Sequence, residues 1–272
     1  MSDYLNLHHT ECIFYRDFAS ISPIRTPTCY GMLPKSHTIV MEDLRQYDRA
    51  PEFALDSGLK VVRSIAKFHS HFRGAPLGGL STHSAYMRTH VLDNYPKFKA
   101  KCLGTVSEET FELFDHAVKY YEDAEVHLLT PPHTLLHGDL KFPNLFWDNV
   151  VSGGEPIYID WQYVGPGKGI EDIIFLLVES CDASDFQSLA DTLIMAYYNE
   201  IQKYEEVEVP AVERRAQVSC ALAGFPLFVA VWFGCIDANR SSEPNFPFLY
   251  ILKLANAFAN LYDVGWVRYK LR

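Results

Sequence analysis

Three oxygen-bearing side chains fall within one short stretch. Leu135-Leu-His-Gly-Asp-Leu-Lys-Phe-Pro-Asn-Leu-Phe-Trp147 places Asp139 and Asn144 in a single loop, and Ile157-Tyr-Ile-Asp160-Trp-Gln162 adds Asp160 at the end of a short apolar run. Phosphoryl transfer needs a carboxylate to take the proton of an attacking hydroxyl. It also needs hard oxygen ligands to hold Mg²⁺ against nucleotide phosphates. This stretch supplies both. Asp139 is the candidate general base, and Lys141, two residues on, can reach a transferring phosphoryl group as a point charge. Asn144 and Asp160 are the candidate metal ligands. Taken singly, each has a plainer reading: a turn Asp, a solvated lysine, a loop-capping Asn and a strand-end Asp. His137 is read as a residue that orients the loop by hydrogen bonding.

The elements that must position these residues can be read outward from them. Leu145-Phe-Trp147 and Ile157-Tyr-Ile159 predict a hairpin turning through Ser152-Gly-Gly154. Upstream, Thr10 can cap a helix through Glu11, Phe14, Tyr15 and Phe18. Ile24–Met32, broken by Pro27, reads as an edge strand, and His37–Met41 as the next strand. Leu55, Leu59, Val62, Ile65, Ala66 and Phe72 recur at helical spacing with Gly74 as a stop. Ser107 opens another helix, and Ser184-Asp-Phe-Gln187 reads as a capping box. Apolar helical regions fill Val212–Ile236 and Phe246–Tyr262.

The chain has 272 residues, 48% of them hydrophobic and 21% charged, which marks a globular protein. Its net charge of −10 argues against nonspecific binding to nucleic acid or anionic membrane and is compatible with a cationic small-molecule partner. The six cysteines form no C-x-x-C pair and no zinc-finger spacing, which predicts reduced thiols and a cytoplasmic location. The N-terminus has neither a basic start nor a long apolar run and is not read as a signal peptide. Val218–Ile236 is about as long as a membrane span, but Pro226, Gly224 and Gly234 favour a buried helix pair bent near Pro226. His8-His9 and His69-x-His71 are read as surface or core histidines. Trp232, Phe233, Phe225 and Tyr250, with Asp237 and Glu243, could cage a quaternary ammonium, but read first as helical core.

His137-Gly-Asp-Leu-Lys-x-x-Asn144 followed by Ile159-Asp-Trp-Gln162 resembles the aminoglycoside phosphotransferase and choline kinase-like superfamily, including the ecdysteroid kinase-like group. The resemblance implies an α+β, protein-kinase-like fold. It implies ATP and Mg²⁺ as cofactors, Asp139 as base, and Asn144 and Asp160 as metal ligands. Glu11-x-x-Phe-Tyr15 looks like the helix whose glutamate pairs with the ATP-binding lysine. Ile39-Val-Met-Glu-Asp-Leu44 looks like the hinge, with the backbone of Glu42, Asp43 and Leu44 against adenine. Gly165-x-Gly-x-Gly-x-Glu-Asp172 looks like the segment whose aspartate braces the catalytic loop, and Gly165-Pro-Gly-Lys-Gly169 is otherwise read as a plain turn. Residues 1–46 would then be a partial, reduced N-terminal lobe and 47–272 a helical C-terminal lobe.

Only Trp161 to Glu171 separates Asp160 from Asp172, with no Ala-Pro-Glu after it. That is short for a peptide platform, so the expected acceptor is a small hydroxylated molecule and a protein kinase is disfavoured. The family's glycine-rich hairpin and lysine strand precede the glutamate-bearing helix. Here Met1 stands about ten residues before Glu11, an interval too short for them, and Lys35 and Arg25 are candidates to substitute for the lysine, with no spacing argument for either. Two readings follow: an ATP- and Mg²⁺-dependent small-molecule O-phosphotransferase, or a catalytically impaired kinase-like binding protein that lacks the glycine loop and ATP lysine. Oligomeric state and acceptor identity are not written in the sequence.

Overall fold

A computed structural model describes residues 7–33, 38–49, 52–82, 84–149, 154–182, 184–205, 208–236 and 246–269. Lys35, His37, Ser152, Gly153, Asp237 and Glu243 lie outside these. By its internal contacts the chain divides into two compact units: residues 1–82, 132–176 and 192–207, and residues 83–131, 177–191 and 208–272. This division does not follow the 46/47 boundary read from the sequence.

The first unit opens with helix α1 (Leu7–Ile13), which continues as a π-turn over Phe14–Phe18 and a 3-10 turn over Ala19–Ile21. Thr10 therefore lies inside the helix and does not cap it. Strands β1 (Cys29–Leu33) and β2 (Thr38–Met41) pair antiparallel, with Met32 opposite Ile39. The strand expected from Ile24 begins only at Cys29, because Pro27 cannot donate to a ladder. Arg25 makes an isolated bridge to Ile157 instead.

Helix α2 (Leu55–Phe72) buries Val62, Ile65, Ala66 and Phe72 as the spacing predicts, and Val61 and Phe68 with them, while Leu55 at its start is exposed and Leu59 half-buried. Arg73 caps it and Gly74, at φ +69°, turns the chain away.

Strand β3 (Asp48–Arg49), strand β5 (Leu145–Trp147) and strand β6 (Pro156–Tyr158) form one small sheet, in which the predicted hairpin pairs Phe146 with Ile157. Strand β4 (Thr134–Leu136) pairs with strand β7 (Gly165–Gly167). The glycine-rich stretch is thus a strand where a turn was expected. Gly167 lacks bulk for a reason: a Cβ there would meet Leu136 at 2.4 Å and Glu171 at 2.5 Å. Helix α6 (Ile170–Ser180) starts directly after β7, and the last part of helix α7 (Phe186–Ile201) completes the unit. Helix α7 begins one residue later than a capping box on Ser184 suggests, and Asp185 O accepts its first helical bond, from Leu189 N. The core is aromatic: Phe14 lies flat on Trp161, centroids 3.7 Å apart, and Phe68 and His137 lie 5.3 and 4.4 Å from the same indole.

The second unit is built on helices α3 (Ser84–Lys101), α4 (Glu108–Lys119), α5 (Tyr121–Leu128), α8 (Ala211–Ala223), α9 (Phe225–Cys235) and α10 (Phe246–Leu261). Ser107 caps α4 by accepting from Thr110 N. The long apolar run over Ala211–Cys235 is a helix pair broken at Gly224, with Pro226 in the first turn of α9, where its missing N–H costs nothing. By length and composition the run could cross a membrane, but most of it is buried inside the structure. Gly234 lets α9 approach α3: a Cβ there would fall 2.3 Å from the Phe98 ring.

Candidate active site

All the candidate site residues belong to the first unit. Between β4 and β5 the chain runs His137–Asn144 as a loop that ends in a 3-10 turn, Phe142–Asn144, with Pro143 inside it. Asp139 is 4% exposed. Lys141 Nζ donates to its Oδ1 at 3.0 Å and Asn144 Nδ2 to its Oδ2 at 2.9 Å. Asn144 Nδ2 also donates to the Asp139 carbonyl, 2.9 Å away, which closes the loop on itself. Burial pushes the Asp139 carboxyl up to about 6, against the pull of Lys141 and Asn144. A carboxylate poised near neutrality is suited to accept a proton. Lys141, expected to reach toward a phosphoryl group, is ion-paired with Asp139 here.

The second metal-ligand candidate is tied to the first through the backbone. Ile159 N donates to Asn144 O at 3.1 Å, so Asp160 follows directly on the residue bonded to Asn144. Asp160 adopts left-handed geometry, φ 65° and ψ 62°, ahead of the 3-10 turn Trp161–Tyr163. For a residue other than glycine this conformation costs on the order of 1 kcal/mol, and such strain gathers where function requires it. Glu11 on α1 accepts from Trp161 N at 3.2 Å. Burial first, and Asp160 second, raise its carboxyl. Among the described residues Glu11 pairs with no lysine or arginine.

His137 is fully buried, and burial holds it below its ordinary value. Its tautomer is fixed by its neighbours: Nε2 faces the Ile159 carbonyl at 3.0 Å and must donate, while Nδ1 accepts from Asp139 N at 3.3 Å. The ring thus clips the segment that leads into Asp160 to the loop that carries Asp139. Asp172 does the same from α6: its Oδ2 accepts His137 N at 2.7 Å and its Oδ1 accepts Gly138 N at 2.8 Å. His69 Nε2 lies 3.0 Å from Oδ2. Burial opposes ionisation of Asp172, but the hydrogen bonds from His69 Nε2 and His137 N prevail and hold it below the usual carboxylate range.

Sequence reasoning missed the part played by His69. It placed His69 at the surface or in the core without a carboxylate, because Asp172 is 103 residues away and no local pattern joins the two.

Gly138 shows how tightly this loop is set. Its φ is +80°, and a Cβ would come within 2.0 Å of the Tyr163 carbonyl oxygen. Gly138→Ala should therefore cost about 2–4 kcal/mol, beyond the roughly 1 kcal/mol of strain alone. Gly79→Ala is the control, since φ there is +90° with open space around it. Urea unfolding midpoints compare the two.

The other expected contacts divide. Of the backbone expected to meet adenine, Glu42 N is spent on Thr28 O at 2.8 Å and Leu44 O on Tyr47 N at 3.0 Å. The Glu42 carboxylate accepts Tyr47 OH and Thr28 N, and Arg25 binds Tyr47 OH and Asp148. Arg25 is therefore engaged with Tyr47 and Asp148 and is not placed beside Glu11 as a substitute for an ATP-binding lysine. In the second unit Trp232 stacks on His90, and Phe228 lies between Trp232 and Phe225, so these rings pack on one another and do not open as a cage. His8 and His9 are exposed, as expected of surface histidines.

Residues 40–208, more than half of the chain, match the model of the phosphotransferase enzyme family. The chain belongs to that family. Its fold is the kinase-like one of choline kinases and aminoglycoside phosphotransferases. A choline/ethanolamine kinase family protein from Mesorhizobium loti superposes with a TM-score of 0.64 at 18% identity, covering 96% of this chain and 81% of that one. An amicoumacin kinase solved in complex with AMP-PNP, Ca²⁺ and Ami gives a TM-score of 0.58 at 11% identity, covering 98% and 81%. Among curated proteins, dhs-27 of Caenorhabditis elegans, described as an uncharacterized oxidoreductase, is 28% identical over 231 residues, 73% of this chain. The chain spans 27% of the length of that relative.

Proposed function

We propose that this phosphotransferase-family chain moves the γ-phosphate of ATP to the hydroxyl of a small molecule. The observation that carries the reading is the juxtaposition of Asp139, Asn144 and Asp160 through the Asn144–Asp139 and Ile159–Asn144 hydrogen bonds. The donor set suits Mg²⁺, which binds through one or two side-chain oxygens plus phosphates and seldom through an all-protein cage. Among the described residues no three His, Cys, Asp or Glu gather into such a cage. Asn144 spends its Nδ2 on Asp139, leaving its amide oxygen for a metal, and Asp160 carries no ion pair among the described residues. Bound Mg²⁺–ATP would supply the phosphoryl group and neutralise its charge.

The residues of the chain then have distinct tasks. Asp139 takes the acceptor's proton on its carboxylate. Lys141 keeps that carboxylate ionised and oriented. Asn144 and Asp160 would hold the metal, and the backbone around Asp43 and Leu44 would meet the adenine. In this reading 1–46 is a partial N-terminal lobe and 47–272 the C-terminal lobe, in a cytoplasmic protein.

The acceptor is a small molecule because the chain from Asp160 to Asp172 is fully used by a 3-10 turn, β7 and the start of α6. The acidic net charge, and a choline/ethanolamine kinase among the fold neighbours, put amino alcohols first in a test panel. Turnover of ATP with such a panel, absent in Asp139→Ala, supports the reading; equal turnover in both, or none in either, overturns it.

A second reading rests on Glu11, whose carboxylate meets a backbone N–H and no cationic side chain among the described residues. It is a binding module that takes up metal–nucleotide without transfer. Calorimetry separates metal binding from nucleotide binding in either case. Asp160→Asn, which tolerates the left-handed backbone, should weaken ATP binding about tenfold or more in Mg²⁺, the scale of one lost charge-assisted ligand. It should leave metal-free binding unchanged.

A further inference from the structure

Behind the catalytic loop, α2 and α7 bring together two buried polar side chains that the phosphoryl-transfer chemistry does not use. His69 and Tyr197 are 2% and 4% exposed. Tyr197 OH lies 3.1 Å from His69 Nδ1, and His69 Nε2 lies 3.0 Å from Asp172 Oδ2. Asp172 in turn holds the N–H groups of His137 and Gly138, immediately before Asp139. The chain of contacts thus runs from a phenol on α7 to the residue preceding the candidate base.

The direction of each hydrogen bond follows from satisfaction. Asp172 is ionised and can only accept, so His69 Nε2 carries a proton. Tyr197 OH has His69 Nδ1 as its one hydrogen-bond partner among the described residues. A buried donor without an acceptor is costlier than an acceptor with a spare lone pair. The phenol therefore donates, and His69 Nδ1 is a bare lone pair. His69 is then neutral, its proton locked on Nε2 and aimed at Asp172.

Gly169 supplies an independent mark of this arrangement. A Cβ at that position would stand 2.0 Å from Tyr197 OH and 2.3 Å from His69 Nδ1, beside the hydrogen bond itself. The backbone passes so close that only glycine leaves the bond intact. Its φ is not in the left-handed region, so backbone conformation does not explain the glycine.

We propose that Tyr197 and His69 are positioning residues for the catalytic loop: the Tyr197 hydroxyl sets the His69 tautomer, and His69 completes the acceptor geometry of Asp172 that fixes His137 and Gly138 ahead of Asp139. This builds on the proposed phosphoryl-transfer role of Asp139, but its structural half can be tested without turnover.

In the unaltered chain, ¹⁵N NMR of the imidazoles at pH 7 should show His69 neutral with the proton on Nε2. A protonated Nδ1 overturns the proposal. Tyr197→Phe removes one oxygen and little volume, and Gly169→Ala wedges the bond apart while leaving both partners in place. Each should raise amide hydrogen exchange at His137 and Gly138 at least tenfold and leave that of β5 and β6 unchanged. Unaltered exchange in a folded variant overturns the proposal, as does a uniform rise across the unit, which would mean packing alone. If the unaltered chain turns over ATP, Tyr197→Phe should lower kcat several-fold with the KM for ATP unchanged. A chain with no turnover leaves the NMR and exchange results to decide, so failure of the phosphoryl-transfer reading is distinguishable from failure of this one.

Discussion

Asp139→Asn should reduce phosphoryl transfer by 10² to 10⁴-fold, roughly the value of a positioned general base, and at the same time stabilise the protein at neutral pH. The two effects share one cause. Burial raises the Asp139 carboxyl from its ordinary 3.8 to about 6. The folded chain therefore holds a proton that the unfolded chain releases near pH 4. Between about pH 4 and 6 the folded state binds more protons, so this group's effect on stability becomes less favourable as pH rises, and the full cost is present above about 6. About two pKa units correspond to at most ~3 kcal/mol. Asn cannot ionise, but its amide keeps one acceptor oxygen and turns its N–H₂ toward the other donor, Lys141 or Asn144, which trims the gain to about 1–2 kcal/mol. Thermal unfolding with EDTA present should show the variant ahead at pH 8 and level with or below the parent at pH 4. A variant that loses stability equally at both pH values would contradict a raised, buried base.

Asp172→Asn should do the opposite, costing about 3–5 kcal/mol at pH 7, the usual range when one member of a buried charged network is removed. The carboxylate accepts His137 N, Gly138 N and His69 Nε2 from three directions. An amide has one oxygen for these donors and adds two donors of its own. The pH dependence has the reverse sign to that of Asp139. Asp172 is held below its ordinary value in the fold, so its contribution is present above about pH 4 and is lost as pH falls through the folded-state value. The gap between parent and variant in urea midpoint should thus be widest from pH 6 to 8 and narrow toward pH 3. Transfer activity should fall as well, since His137 and Gly138 lead directly into Asp139. A midpoint within 1 kcal/mol of the parent at pH 7 would mean that the three donors find other acceptors and that the brace is not needed.

The legibility of this protein in its sequence follows the range of the interactions involved. Helix α2 was readable because its apolar residues repeat with the turn of the helix, and its stop was readable because Gly74 has to turn left-handed. The β5–β6 hairpin was readable from two apolar runs a short turn apart. Helix α3 was not singled out: Pro96 lies inside it, and its apolar residues follow no clean stripe. Strand β7 was misread as a turn because Gly-Pro-Gly is ordinarily a chain reversal, and only β4 beside it turns the segment into a ladder. The break at Gly224 in place of Pro226 is a similar case, since proline fits a helix's first turn as readily as it ends one.

Spacing alone determined that Asp139, Asn144 and Asp160 lie near one another, because a loop and a hairpin of fixed length leave them little room to separate. Candidate oxygen ligands beside the Asp139 carboxylate also pointed to phosphoryl transfer, and the family match supports a phosphotransferase. Only the tertiary structure decided how that carboxylate behaves: burial raises it, Lys141 and Asn144 restrain it, and the left-handed Asp160 follows the strand bonded to Asn144. It also decided what stands behind the loop. His69, Asp172 and Tyr197 come from three helices distant in sequence, and the hydrogen bonds that join them follow from packing geometry, on which the order of residues along the chain leaves no local mark.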